Sequence, residues 1–431
     1  MTLTIHRGTH EIGGSCVELH TAEAKILIDF GLPLDYDKRT PEEQEQIRSD
    51  AAEWCKGVNA LFLSHAHADH YGLFDLLPND TPVYATEDTF AMLALDGILG
   101  KDPTMHLKKC PMRGYQPYEI RGLTVTAHPI DHSAYGACAL LFEAEGKRVL
   151  YSGDVRLHGV KGKLYKQLPR EVDYLLLEGT NIAREQHNPT EQDVENEFIK
   201  TFDDAPYALN LVWCSSKNID RICALFRACR RRGKTLVIDP YTANVLAAVS
   251  KLNPKIPSAT TTEQIKVYFP PRLTTRLTER DQRQYIYSLN PRENKITYTE
   301  ISTTPERYVM LVRPSVVEFL QKIEAKQMRF IKSIWNGYWE EPSTERFRQW
   351  VERYCEEVSD IHASGHADIG ALQRIVEHVR PKHLIPIHTD APDRFARLGI
   401  PESTHNTNEA TLRPALLYLA DNQRITLAFD D

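Results

Sequence analysis

The sequence predicts an α/β protein in which one domain, built from both ends of the chain, is interrupted by an α/β insert. Three observations predict it. The first third reads as short strands joined by tight turns; after Glu178 helices and strands alternate; beyond residue 357 the first style returns. At 431 residues the chain exceeds one usual hydrophobic core, which fits two units. The predicted bounds are 1–182 for the first part of the split domain, 183–357 for the insert and 358–431 for the second part.

Residues 3–6, 15–20 and 25–29 suit a strand meander, and 59–64 reads as a buried strand ending at a histidine-rich loop. Strand-like runs continue at 123–127, 137–143, 148–151 and 172–178. In the insert, Pro189-Thr190 opens a helix over 191–202. Strand 208–213, helix 218–231, strand 235–239 and helix 243–252 follow, the cadence of a parallel sheet with helical crossovers. A looser stretch bearing Pro and Arg spans 253–307, then come strand 308–312 and helices 314–325 and 344–358. Strand 360–362, helix 368–379, strand 383–388 and terminal strands to 431 complete the chain.

Composition excludes several classes. Hydrophobic residues make up 42% and charged residues 26%, ordinary for a globular protein. No apolar run approaches the roughly 20 residues that span a bilayer, and the N-terminus lacks the basic-then-apolar pattern of a secretory signal. Eight scattered cysteines without a C-x-x-C pair read as reduced core residues, and a cytoplasmic location follows. A net charge of −7 argues against a general electrostatic nucleic-acid binder, though not against a basic groove on an acidic body.

The strongest chemical signal is Ser64-His65-Ala66-His67-Ala68-Asp69-His70, which places His65, His67, Asp69 and His70 directly after a strand. Neutral imidazole and carboxylate suit zinc, iron or manganese. Their alternation lets His65 and His67 face one ion while Asp69 and His70 face another. A solvated histidine-rich turn is the plainer alternative, and the apolar strand before it argues against that.

H-x-H-x-D-H after a buried strand resembles the signature of metallo-β-lactamase-fold hydrolases, and the resemblance continues along the chain. Asp29 stands where that superfamily keeps an acid bracing the metal loop. His132, in Asp131-His132-Ser133, matches its third histidine, and Asp154, in Ser152-Gly153-Asp154, its bridging carboxylate. Glu178, Ser364-Gly365-His366-Ala367 and Ile385-Pro386-Ile387-His388 look like successive motifs of the β-CASP nucleases, a group that includes ribonuclease J. These enzymes carry an α/β insert in the same place. The resemblance implies an αββα sandwich with a β-CASP-like insert.

It also implies roles. His65, His67, Asp69, His70, His132, Asp154 and His388 would hold two divalent ions, Zn²⁺ or Mn²⁺, with Asp69 also relaying the proton of an attacking water. His366 would face the scissile phosphate, and Glu178 would orient a ligand histidine, a buried structural acid being the alternative. Ser364, Gly365 and His366 precede a predicted helix at Asp368, whose amides would make an anion site. Ser216, Asn218 and Arg221 resemble the Ser/Asn/Arg stretch of ribonuclease J-like inserts and would hold a second phosphate; an ordinary helix cap by Ser216 is the alternative. Arg227, Arg230, Arg231, Arg232 and Lys234 read as compensation of a helix C-terminus.

Two departures stand out. The last motif histidine is followed by Thr389-Asp390 rather than Gly-Glu, and only about 40 residues follow it, where ribonuclease J adds a domain. The expected function is cleavage of RNA, or single-stranded DNA, by a two-metal-activated hydroxide. The competing readings are hydrolysis of a small ester, lactone or phosphodiester, and a catalytically silent partner subunit of a nuclease complex. The expected partner is nucleic acid, RNA ahead of DNA, with no membrane and a homo-oligomer left open.

Overall fold

A computed structural model describes the chain apart from residues 101, 186, 204–207, 288, 290–293, 400–413 and 428–431. It divides into two compact units: Met1–Ala94 with Asp102–Asn188 and Gly365–Asp431, and Leu95–Lys101 with Pro189–Ser364.

The first unit holds two seven-stranded sheets. One runs Gln423–Thr426, Thr2–Arg7, Cys16–His20, Lys25–Ile28, Ala60–Phe62, Pro82–Thr86, Lys108–Met112. The other runs Ala415–Leu416, His383–Ile387, Tyr174–Glu178, Lys147–Tyr151, Cys138–Ala144, Leu123–Pro129, Pro117–Ile120. Alternation puts Leu3, Ile5, Val17 and Ile26 of the first sheet into one cluster with Val125, Leu140, Phe142 and Leu176 of the second, so the sheets pack face to face. Phe62 meets Phe142 edge-on across the gap, ring centroids 5.4 Å apart.

The outer face of the second sheet, with Leu141, Leu150, Leu175 and Leu177, is covered by Leu372, Ile375 and Val379 of the helix Ile369–Val379. On the first sheet the helix Pro41–Trp54 lies outside, Trp54 stacking on His6 at 4.8 Å. That helix is an addition to the sequence-predicted elements. Its apolar stripe is thin, only Ile47 and Ala51 being buried, and a Thr40–Glu43 capping box fixes its start. The layers are the helix–sheet–sheet–helix sandwich that the resemblance implies.

The second unit is built on one six-stranded sheet, ordered Ile265–Val267, Thr235–Ile238, Tyr308–Leu311, Leu209–Trp213, Met328–Lys332, Cys355–Asp360, every pairing parallel. Three predicted elements change here, the helix expected over 314–325 being a 3-10 turn, Pro314–Val316, followed by a single α-turn, Val317–Leu320. The helix expected to 358 ends at Tyr354, and the strand expected at 360–362 is Cys355–Asp360, pairing with Met328–Lys332. The second unit therefore runs on to Ser364 rather than 357. The stretch 253–307 is less loose than its composition suggests, holding the strand Ile265–Val267 and the helix Pro271–Glu279. Residues 428–431 of the expected terminal strands lie outside the described residues.

Among the described residues no helix is long and apolar enough to cross a membrane, and the eight cysteines are unbridged.

Candidate metal centre

The centre forms where strands of the first unit end. Lys25–Ile28 delivers Asp29, whose φ of +56° lies in the left-handed region few non-glycine residues adopt. Its carboxylate accepts from the Ser64 N–H at 2.8 Å, the Ser64 hydroxyl at 2.8 Å and the Tyr151 hydroxyl at 2.8 Å, and faces His70 Nδ1 at 2.7 Å. One buried acid thus seats the histidine loop on the strand ends. Gly31 permits the approach: a Cβ there would lie 1.7 Å from the Asp69 carbonyl oxygen.

Three groups of potential ligand atoms result among the described residues: two share Asp154, and the third is Glu178, His366 and His388. In the first, His67 Nδ1 stands 3.2 Å from both His65 Nε2 and His132 Nε2, and Asp154 Oδ2 lies 3.5 Å from His65 Nε2. In the second, His70 Nε2 is 3.2 Å from Asp154 Oδ2, and His388 Nε2 is 3.2 Å from Asp69 Oδ2. Three of the remaining ring nitrogens are held from behind: His65 Nδ1 by the Ser64 hydroxyl at 3.0 Å, His132 Nδ1 by the Gly365 carbonyl at 2.7 Å and His388 Nδ1 by the Thr180 hydroxyl at 2.9 Å. Outer partners of this kind orient ligand histidines.

The donor set fits divalent metal. Both carboxylate oxygens of Asp154 and His70 Nε2 are buried and make no well-formed hydrogen bond, although Nε2 lies 3.2 Å from Oδ2; a cation held among them would offset the cost of burying them. Three nitrogens about one another cannot all be satisfied by protons. Tetrahedral zinc with nitrogen ligands at its usual distance would space them about 3.3 Å apart.

Burial holds His65 and His132 well below the ordinary histidine range and His67 at about 4, so these rings are neutral near pH 7. Burial alone would raise Asp154, but the charges of His388 and His70 outweigh it and hold the carboxyl well down. Burial is likewise outweighed at His70, which Asp154, Asp69 and Asp29 raise; an ion taken up there would displace a proton.

Glu178 ends the strand Tyr174–Glu178 and accepts from the backbone N–H groups of Val155, Thr180 and Ala367. It also faces His366 Nδ1 at 3.4 Å. It thus fastens three loops and touches His366, joining the structural and orienting readings. His366 stacks against His388 with centroids 5.6 Å apart; burial would lower it, but Glu178 and Asp154 raise it to about 9.

The proposed anion sites fare differently. Asp368 caps its own helix, accepting from the Ala371 N–H at 2.8 Å, and the Ala367 N–H donates to the Val155 carbonyl at 2.7 Å. The amides of Ala367 and Ala371 are thus engaged within the fold. Ser364 falls in the second unit, Gly365 and His366 in the first. Arg221 is wholly buried in the second unit, pairing with both oxygens of Glu191 at 2.9 Å and donating to Ser333 and the Ala363 carbonyl, so it is a core residue rather than a phosphate clamp. The cap of the helix Ile219–Arg231 is Asn218, not Ser216. Ser216 bonds Thr242 at 2.8 Å and lines a cavity of about 340 Å³ with Lys217, Tyr241 and Arg313.

Sequence reasoning missed Tyr151, Thr180 and the Gly365 carbonyl as supports. Each acts through a contact between distant segments, which no local pattern announces.

Residues 26–213 match the family model described as a β-lactamase superfamily domain, and 350–408 the Zn-dependent metallo-hydrolase RNA specificity domain. Ribonuclease J of Sinorhizobium meliloti is 24% identical over 384 residues, covering 84% of this chain and 64% of that protein. An RNase J-like protein of Methanocaldococcus jannaschii is 26% identical over 283 residues, covering 59% of this chain and 63% of that protein. Transcription termination factor FttA of Cenarchaeum symbiosum is 28% identical over 232 residues, covering 48% and 35%. The chain thus spans less than two thirds of the length of these relatives. A crystal structure of a protein of unknown function from Enterococcus faecalis V583 shares the fold, with a TM-score of 0.74 at 18% identity over 99% of both chains.

Proposed function

We propose that this chain, which belongs to the metallo-β-lactamase-fold proteins of the β-CASP group, hydrolyses phosphodiester bonds in RNA. The observation that carries the reading is Asp154, a buried carboxylate without a well-formed hydrogen bond to either oxygen, shared by a set of three imidazoles and a set made of Asp69, His70 and His388. His65, His67 and His132 with Asp154 would hold one divalent ion, and Asp69, His70 and His388 with Asp154 the other, zinc or manganese. Two such ions lower the pKa of water and neutralise the charge of a phosphodiester.

The side chains supply the rest. Asp69 accepts the proton of the attacking water. His366, held by Glu178, donates a hydrogen bond to the phosphate. Ser216, which lines its cavity beside Lys217, is a further candidate for contact with a backbone phosphate. RNA is favoured over DNA because the model matched at 350–408 is described by RNA specificity. A cytoplasmic setting goes with unbridged cysteines.

The test is an assay on end-labelled RNA and single-stranded DNA with different 5′ ends, with Mn²⁺ or Zn²⁺, beside a panel of small esters and lactones. RNA should be cut by the wild type, and Asp154→Ala should fall to the background rate. Near-normal cutting by a metal-replete Asp154→Ala protein, or turnover of small esters alone, would sink the proposal.

A further inference from the structure

Beside the centre lies a buried ion pair that none of the roles above uses. Arg156 Nε stands 2.9 Å from Asp131 Oδ1, the two side chains being 0% and 1% exposed. Asp131 immediately precedes His132, and Arg156 follows Asp154 by two residues. The backbones are joined as well, the Arg156 N–H donating to the Asp131 carbonyl at 2.8 Å. Gly159 wraps the pair so closely that a Cβ there would lie 2.4 Å from Asp131 Oδ1 and 2.6 Å from Arg156 Nε. Two buried charges are seldom more stabilising than apolar side chains of the same volume. What they supply is direction and a fixed separation.

We propose that Arg156 is a positioning residue. Through Asp131 it locks the loop carrying His132 against the loop carrying Asp154, and so sets the first ligand group before an ion arrives. The inference rests on the metal reading given under Proposed function.

The test measures zinc affinity of the metal-stripped chain by chelator competition, together with its metal-free melting. Asp131→Leu/Arg156→Met replaces the pair by apolar side chains, and Arg156→Lys keeps the charge but not the fork. The double variant is expected to melt, metal-free, within a few degrees of wild type while binding one zinc about 10–100-fold more weakly. Arg156→Lys should fall between the two. A folded double variant with unchanged zinc affinity overturns the proposal. If the double variant does not fold, Arg156→Lys decides: weakened zinc binding at unchanged metal-free melting supports the proposal, and unchanged binding overturns it. Wild-type chain that takes up neither zinc nor manganese overturns the metal reading and this proposal together, whereas wild-type uptake with an unaffected variant overturns this proposal alone.

Discussion

His388 adopts a φ of +53°, with its N–H donating to the Gly8 carbonyl at 2.6 Å. A non-glycine residue held there costs about 1–3 kcal/mol and persists only where its surroundings over-determine it. Here the turn directs the ring at Asp69, with the Thr180 hydroxyl behind it. Thr180→Val is therefore expected to weaken zinc binding by the group containing His388 about 10-fold or more. Metal-free stability should change by about 1 kcal/mol or less. Chelator competition checks it, and equal affinity in the variant would show the hydroxyl to be idle. The candidate ligands are far more legible than the residues that support them. His65, His67, Asp69 and His70 stand within one loop, so their chemistry is visible in a line of sequence. Thr180 and Tyr151 are ordinary side chains until folding brings them to His388 and Asp29.

At the scale of elements, Glu18 ties three strands to its own: it faces His6 Nε2 at 3.1 Å, Lys25 Nζ at 3.2 Å and Arg424 Nη2 at 3.2 Å. Burial would raise its carboxyl, but the His6 hydrogen bond and the Lys25 charge outweigh it and hold it at about 2. A depressed carboxyl contributes stability that is present above its unfolded value of 4.5 and lost as pH falls from there through about 2. Glu18→Gln should thus cost about 1–2 kcal/mol at pH 6, allowing for solvent screening of the partly exposed partners. Melting curves should show the gap to wild type closing as pH approaches 2; a constant gap would contradict the linkage. In the insert, Arg221→Met leaves Glu191 buried and uncompensated and is expected to cost about 3–5 kcal/mol of stability, read by denaturant unfolding. A selective loss of RNA affinity at unchanged stability would restore Arg221 as a phosphate contact. Resemblance to a Ser/Asn/Arg stretch points to a surface role, yet a guanidinium satisfied by Glu191, Ser333 and Ala363 belongs to the interior. Sequence cannot separate the two, because its partners lie as far away as residue 363. The helix Pro41–Trp54 is illegible for the opposite reason: its capping signal is strong, but its buried stripe is too thin to register as periodicity.

Over the whole molecule, the candidate ligands come from four separated stretches of one unit: residues 65–70, His132, Asp154 and His388. Both sheets of that unit deliver them at strand ends, where α/β folds commonly place ligands. The alternation of strands and then of helices with strands made this architecture readable. The strand Cys355–Asp360 escapes sequence reasoning because it is polar and half exposed, and takes its strand identity from its partner Met328–Lys332. Ions bound only by the folded chain add to its stability by mass action, so stripping them should lower its melting temperature. The central claim is that one shared carboxylate lets this chain hold a pair of metal ions, and metal analysis of the purified chain tests it most directly. Two zinc or manganese ions per wild-type chain are expected, with the pair lost from Asp154→Ala; well under one ion per wild-type chain, or two ions retained without Asp154, would contradict it.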